Sequence, residues 1–271
     1  MFVSMNKSNV YTIGYTLFST PNGIDVESMF RVLKKNNITH LVDVRSVPYS
    51  KQYPQCNENF LRIQGKNYGI PYLHMPELGA KVDADRDVFS MASDIFFEDV
   101  FPVSKTSRPD KVELRAEEKI VDFNKFRNDE HFIDGLNRID YACKQSYIIA
   151  LMCSEKRPVD CHRFFLISKA LAQRFGNHLD LYHLVSDDFG NVVPVSNIEI
   201  ERQLQAVVFK KSEVLKMDVL NPTLMGPAVI EKYFGSSIDE KIRDFCDRYW
   251  NLMHGWKKND YTNFYNIDFY D

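Results

Sequence analysis

The sequence predicts an α/β protein: a mostly parallel sheet flanked by helices, followed by a helical and irregular C-terminal extension. Three observations predict it. Short apolar runs at residues 10–14, 40–44 and 147–152 have strand length and end in glycine, polar or proline-containing segments. Between the runs, apolar residues recur at helical spacing. A strand, helix, strand order favours crossover connections between parallel strands.

The first run, Val10-Tyr-Thr-Ile-Gly14, reads as a buried strand entering a glycine turn. Val26, Met29, Phe30 and Leu33 then fall at i, i+3, i+4 and i+7, on one face of a helix that Asp25 is placed to cap. A second strand, His40-Leu-Val-Asp-Val44, carries Arg45, Ser46 and Pro48 to its C-terminal end. Tyr72-Leu-His-Met75 predicts a short third strand ending at Pro76-Glu-Leu-Gly79. Residues 81–109 keep no sustained period, which predicts a long loop or insertion. Helical spacing returns at Phe132, Leu136, Ile139 and Cys143, and 147–152 is the clearest buried strand. It opens into the polar stretch Cys153-Ser-Glu-Lys-Arg-Pro-Val-Asp-Cys161-His162-Arg163. Leu166, Ala170 and Leu171 then predict a helix, and Leu181-Tyr-His-Leu-Val185 a further strand. Beyond Val195 come short helical pieces, notably 238–250, and a tail at 256–271 rich in Tyr, Phe, Asn and Asp. The expected organisation is one α/β domain over residues 8–195 and an extension over 196–271.

Composition narrows the function classes. A formal net charge of −3 gives no bulk attraction to polyanions, so contact with nucleic acid needs a local basic patch. The longest apolar run, 147–153, is too short to span a bilayer, and the N-terminus lacks a signal-peptide pattern, so no membrane association is expected. The five cysteines at 56, 143, 153, 161 and 246 are an odd number and scattered, unlike a secreted disulfide framework, and point to the cytoplasm. No Cys-x-x-Cys pair of a zinc ribbon occurs. Nothing implies a cofactor or an oligomeric state.

Open α/β sheets bind ligands beyond the C-terminal ends of their strands, where loops and helix N-termini present outward-pointing donors. Three polar motifs are expected there: Gly14-Tyr15-Thr16, Asp43-Val-Arg45-Ser46 and the 153–163 loop. In that loop, backbone amides with Lys156, Arg157 and Arg163 would surround an anion, beside Glu155, Cys161 and His162. Cys153 would be a nucleophile if accessible and ionised; the competing reading is a small buried strand-end residue. Glu77 is the second catalytic candidate, as acid or base, against a role capping backbone amides. Asp43 and Arg45 read equally as substrate contacts or as an ion pair stapling loops. His74, between Leu73 and Met75, reads as a hydrogen-bonded core histidine. Cys153, Cys161 and His162 have metal-ligand chemistry, but the adjacent Cys161 and His162 side chains are expected to diverge and no fourth ligand is evident, so no metal is expected. The loop misses the phosphatase pattern of a cysteine, five residues and an arginine, because position 159 is Val159.

These motifs carry a resemblance. Thr12-Ile-Gly14, Leu41-Val-Asp-Val-Arg-Ser46 with Pro48, Tyr72-Leu-His74 with Pro76-Glu-Leu-Gly79, and Ala150-Leu-Met-Cys153 through Glu155, Pro158 and Cys161-His-Arg163 occur in the order seen in the domain of unknown function 488 family, which the chain resembles over about residues 10–185. The resemblance implies an α/β fold with these motifs around one pocket and transfers no activity. Tyr15 departs from it, since the family commonly has histidine after the glycine. A weaker likeness of layout is to rhodanese-like domains, which also join an Asp-Val-Arg strand end to a cysteine opening a strand-to-helix loop. Here that loop is longer and lacks their glycine pattern.

Two function classes follow. The first is an enzyme, a hydrolase or transferase, with a pocket for an anionic, phosphate-bearing small molecule or nucleic acid. The second is a non-catalytic nucleotide or nucleic-acid binding module. A buried reactive group separates the first from the second, which needs a basic, aromatic surface instead.

Overall fold

A computed structural model describes residues 7–81, 86–91 and 119–203. The chain divides into two units, one made of Met1–Ala84 with Arg127–Ile200 and the other of Asp85–Phe126 with Glu201–Asp271. Most of the expected insertion at 81–109 and the extension beyond residue 203 lie outside the described residues.

In the first unit β1 (Ser8–Gly14) leads through a short 3-10 turn and a hairpin, β2 (Ser19–Thr20) with β3 (Gly23–Ile24), into α1 (Val26–Lys35). The Asp25 carboxylate accepts the Ser28 backbone N–H at 3.0 Å, a cap of about 1 kcal/mol. After β4 (His40–Asp43), α2 (Glu58–Tyr68) and β5 (Tyr72–His74) the chain continues, beyond residue 127, with α3 (Glu130–Lys144), β8 (Ile149–Cys153), α4 (Lys169–Phe175), β9 (Leu179–Ser186) and β10 (Val192–Ser196). The second unit contains β6 (Phe89–Met91) paired antiparallel with β7 (Lys119–Val121), and Ser90 donates to the Asp122 carboxylate at 2.9 Å.

The sheet runs β10-β9-β1-β8-β4-β5, parallel throughout except for the antiparallel edge pair β9–β10. The expected mostly parallel α/β sheet is therefore what forms. One face packs on α1 and α2: Tyr11 and Ile13 of β1, Leu41 of β4, and Ala150 and Met152 of β8 share a core with Met29, Phe30, Leu33 and Leu61. Strand alternation turns Val10, Thr12, Leu151 and Cys153 to the other face, where α3 lies on β1 and against α4. Burying Phe30 or Leu33 fully contributes roughly 1.5–3 kcal/mol each, which is why the helical stripe is legible in the sequence.

Candidate functional site at the C-terminal edge of the sheet

Strand order and connectivity fix where a ligand site belongs. From β1 the chain passes through α1 to β4, on the far side of β8; from β8 it passes through α4 to β9, on the far side of β1. Connections thus leave the adjacent strands β1 and β8 in opposite directions, which opens a crevice at their C-terminal ends, the topological switch point. The register pairs Gly14 with Cys153 there, and Asp43 with Met152 on the next strand. The three motif-bearing strand ends therefore lie side by side.

The loop from Cys153 to Arg163 gathers a dense cluster. The Glu155 carboxylate oxygen Oε2 accepts from both Cys153 Sγ and Cys161 Sγ at 3.0 Å. His162 Nδ1 lies 3.7 Å from each sulfur, while its Nε2 is 3.1 Å from the Val44 carbonyl. A carbonyl only accepts, so Nε2 carries a proton, and Nδ1 faces the two sulfurs. The expectation that Cys161 and His162 diverge is overturned by the backbone. Cys161 is extended (φ −139°, ψ 144°) and His162 helical (φ −58°, ψ −22°), and this switch between neighbours sends both side chains to one point.

Arg163 fixes the loop that carries the cluster. It is fully buried and donates to the backbone carbonyls of Glu155 (2.6 Å) and Lys156 (3.1 Å). Gly14 seats the same loop from beneath. A Cβ at that position would collide with the Glu155 carbonyl, so only glycine lets the strand end and loop come this close. Thr16 adds a hydroxyl bond to the Ser154 carbonyl at 2.5 Å. Arg163 opens one turn of π-helix, Arg163–Ser168, ahead of α4.

Proton affinities in the cluster are displaced in opposite senses. A hydrogen bond from Cys161 lowers the Cys153 pKa against the cost of burial, helped by His162; burial first, then Cys153, drives Cys161 up. Burial opposes the Glu155 charge, but donation from both thiols outweighs it and brings the carboxyl down to about 2. His162 is raised, desolvation being outweighed by the facing Cys153 and Glu155. Such opposed shifts at one point are what reactive or metal-binding centres show.

The second motif forms a separate network. Arg45 meets the Asp43 carboxylate through Nε (2.9 Å) and Nη2 (2.5 Å) and also donates from Nη2 to the Cys56 carbonyl. Tyr72 donates its hydroxyl to Asp43 at 2.6 Å, and the Arg45 guanidinium lies 5.2 Å from the centre of the Tyr15 ring. Burial opposes the Arg45 charge, yet Asp43 raises its pKa on balance; burial raises Tyr72 and pushes Cys56 up to about 12. Arg45 Nη1 and Arg163 Nε are buried donors with no acceptor among the described residues.

The remaining candidates are dispersed. Glu77 is paired with Arg138 of α3 and packs against Gly135, and none of its described contacts is with the thiol cluster. Ser46 accepts the Lys81 backbone N–H at 2.8 Å and abuts Gly79, tying the 76–79 turn to the end of β4. His74 donates from Nε2 to the Arg45 carbonyl at 2.8 Å, as a hydrogen-bonded structural histidine would. Lys156 is exposed on the loop, whereas Arg157 is paired with Asp160. Sequence reasoning missed the orienting carbonyl of Val44 and the hydroxyl of Tyr72; a main-chain acceptor leaves no residue signal, while Tyr72 stood in a quoted motif.

Among the described residues no helix is long and apolar enough to cross a membrane. Neither a curated protein nor a solved structure matches the chain. The sequence profile of the family described as "Domain of unknown function DUF488" matches residues 25–170, which include β4, β5, β8 and the whole Cys153–Arg163 loop but not Gly14 or Tyr15. That match covers more than half of the chain, and the protein belongs to the DUF488 family.

Proposed function

We propose that this protein is an enzyme, a hydrolase or transferase, that acts on an anionic, phosphate-bearing substrate at the C-terminal edge of β1, β4 and β8. One observation carries the reading: Glu155 and His162 both contact the paired thiols of Cys153 and Cys161 at the switch point of the sheet, with opposed pKa shifts. The anionic substrate is supported by the buried Arg45 Nη1, which has no acceptor among the described residues, and by exposed Lys156 on the same edge. Arg163 acts as a positioning residue, since two of its donors hold loop carbonyls.

Cys153 is 3% exposed and shares a carboxylate oxygen with Cys161, so a free attacking thiol fits poorly; the four residues act as a unit. Glu77, bound to Arg138, lies outside the reaction centre in this reading. The cytoplasm is the expected compartment. Its reducing conditions suit Cys153 and Cys161, which are adjacent in space and unbonded.

The test is a thermal-shift panel of inorganic phosphate, nucleotides and short DNA and RNA, followed by turnover of the binders. A ligand at a hundred times its Kd stabilises the native state by about 2.7 kcal/mol, a rise of several degrees. At least one phosphate-bearing compound should produce that rise and be converted to product. Conversion should fall at least a hundredfold in His162→Ala at matched folded concentration, and Lys156→Ala should weaken binding. A panel with no stabilising compound, or conversion unchanged in His162→Ala, overturns the reading.

A further inference from the structure

A carboxylate oxygen and an imidazole nitrogen each contact the same two sulfurs. Because Glu155 Oε2 faces both Cys153 Sγ and Cys161 Sγ at 3.0 Å, neither thiol can ionise there without repulsion from the carboxylate. A cation held by the two sulfurs and the imidazole nitrogen removes that conflict. The arrangement also has the accessory feature of a metal centre, an imidazole whose far nitrogen is held by a main-chain carbonyl, Val44, so that the near nitrogen presents a lone pair. The donor atoms of Cys153, Cys161 and His162 all lie within 4.8 Å of one another.

We propose that Cys153, Cys161 and His162 bind a divalent metal ion of the zinc class through Sγ, Sγ and Nδ1. The sulfur–nitrogen distances fit three corners of a tetrahedral site. Zinc bond lengths of roughly 2.3 Å to sulfur and 2.0 Å to nitrogen set a sulfur–nitrogen edge of about 3.5 Å. Both sulfur–nitrogen distances are 3.7 Å, within a few tenths of that edge. The Glu155 carboxylate lies 3.0 Å from both sulfurs and accepts from the thiols until the ion takes their place.

Donor chemistry selects the ion: two thiolates and an imidazole suit zinc and disfavour magnesium or calcium, which take oxygen ligands. Uptake releases the thiol protons to solvent. Two thiolates neutralise the divalent cation, and the Glu155 carboxylate beside them adds one negative charge, which the buried Arg163 guanidinium on the same loop offsets. The fourth position is left to solvent or substrate, with the Glu155 carboxylate beside both sulfurs. The proposal shares its residues with the proposed function but does not depend on the substrate.

Untagged full-length protein, prepared in reductant, should carry about one zinc per chain by elemental analysis. After chelation, cobalt(II) should bind with a saturating thiolate-to-cobalt charge-transfer band and tetrahedral visible bands. Cys161→Ser and His162→Gln should lose the band and weaken zinc binding at least tenfold; Cys143→Ser, a buried thiol elsewhere, should keep both. If either site variant fails to fold, the parent still decides. Zinc should shield Cys153 and Cys161 from alkylation, mapped by mass spectrometry, and chelation should expose them. No thiolate–cobalt band, or zinc shielding that leaves Cys153 and Cys161 unaffected, overturns the proposal. A protein that binds neither zinc nor cobalt yet converts a phosphate-bearing substrate overturns the metal site alone. A zinc-loaded protein that neither binds nor converts any member of the panel overturns the enzyme reading and leaves the metal site standing.

Discussion

His183 shows how a single side chain ties this fold to pH. It sits on β9 opposite Thr12 of β1, with Nδ1 2.7 Å from the Thr12 hydroxyl and Nε2 3.0 Å from Asn197 Oδ1. Complete burial holds its pKa down to about 3, against the opposing hydrogen bond to Asn197, so the folded ring is neutral across the ordinary range. The unfolded chain takes up the proton near pH 6.5 and the folded chain does not. Stability therefore falls as pH drops through 6.5 and stops falling on this account only below about 3. Between pH 7.5 and 5 this one group removes about 2 kcal/mol. Urea unfolding of the parent and His183→Gln at both pH values should show the gap between them narrowing by about that amount at pH 5. Parallel pH dependence would remove His183 from this role. At the same scale, the chemistry of the cluster was legible in Cys153, Glu155, Cys161 and His162 as residue types. Their convergence was not, because it depends on the backbone change between Cys161 and His162, which no spacing rule encodes.

At the scale of elements, β1 and the Cys153–Arg163 loop are coupled through Gly14. Its backbone angles are ordinary extended ones (φ −106°, ψ 125°), so the demand for glycine is purely steric. Gly14→Ala should push the loop off the strand end, destabilise the protein by roughly 1–3 kcal/mol, and weaken ligand and cobalt binding together. Circular dichroism melts combined with cobalt titration check this, and normal cobalt affinity in a folded Gly14→Ala would contradict it. Element legibility follows burial. The stripe of α1 was readable because Val26, Met29, Phe30 and Leu33 are all buried. By contrast α2 gave no such stripe: only Leu61 and Gly65 are buried, while Phe60 and Ile63 of the same helix face solvent. The edge strand β10 was hidden by Pro194, which an edge tolerates and a central strand does not. The buried strand expected at 147–152 forms at Ile149–Cys153, two residues later at its start, because Ser146 at φ 66° and the turn around it delay the extended segment.

For the whole first unit, the order of strands turns a list of motifs into a site. Gly14, Asp43 and Cys153 are far apart in sequence and adjacent in space because β8 inserts between β1 and β4. The alternation of strands and helices foretold a parallel sheet but not this insertion, since order within a sheet depends on which crossover covers which face. Ligand binding should therefore be confined to one edge. The most direct test is a backbone amide chemical-shift map of isotopically labelled protein titrated with the best phosphate-bearing ligand from the thermal panel. The account predicts that the largest shifts fall in Gly14–Thr16, Arg45–Ser46 and Ser154–Arg163, with β10 and the N-terminal ends of the strands unmoved. Largest shifts at β10 or at the opposite edge, with the Ser154–Arg163 amides unchanged, would contradict it.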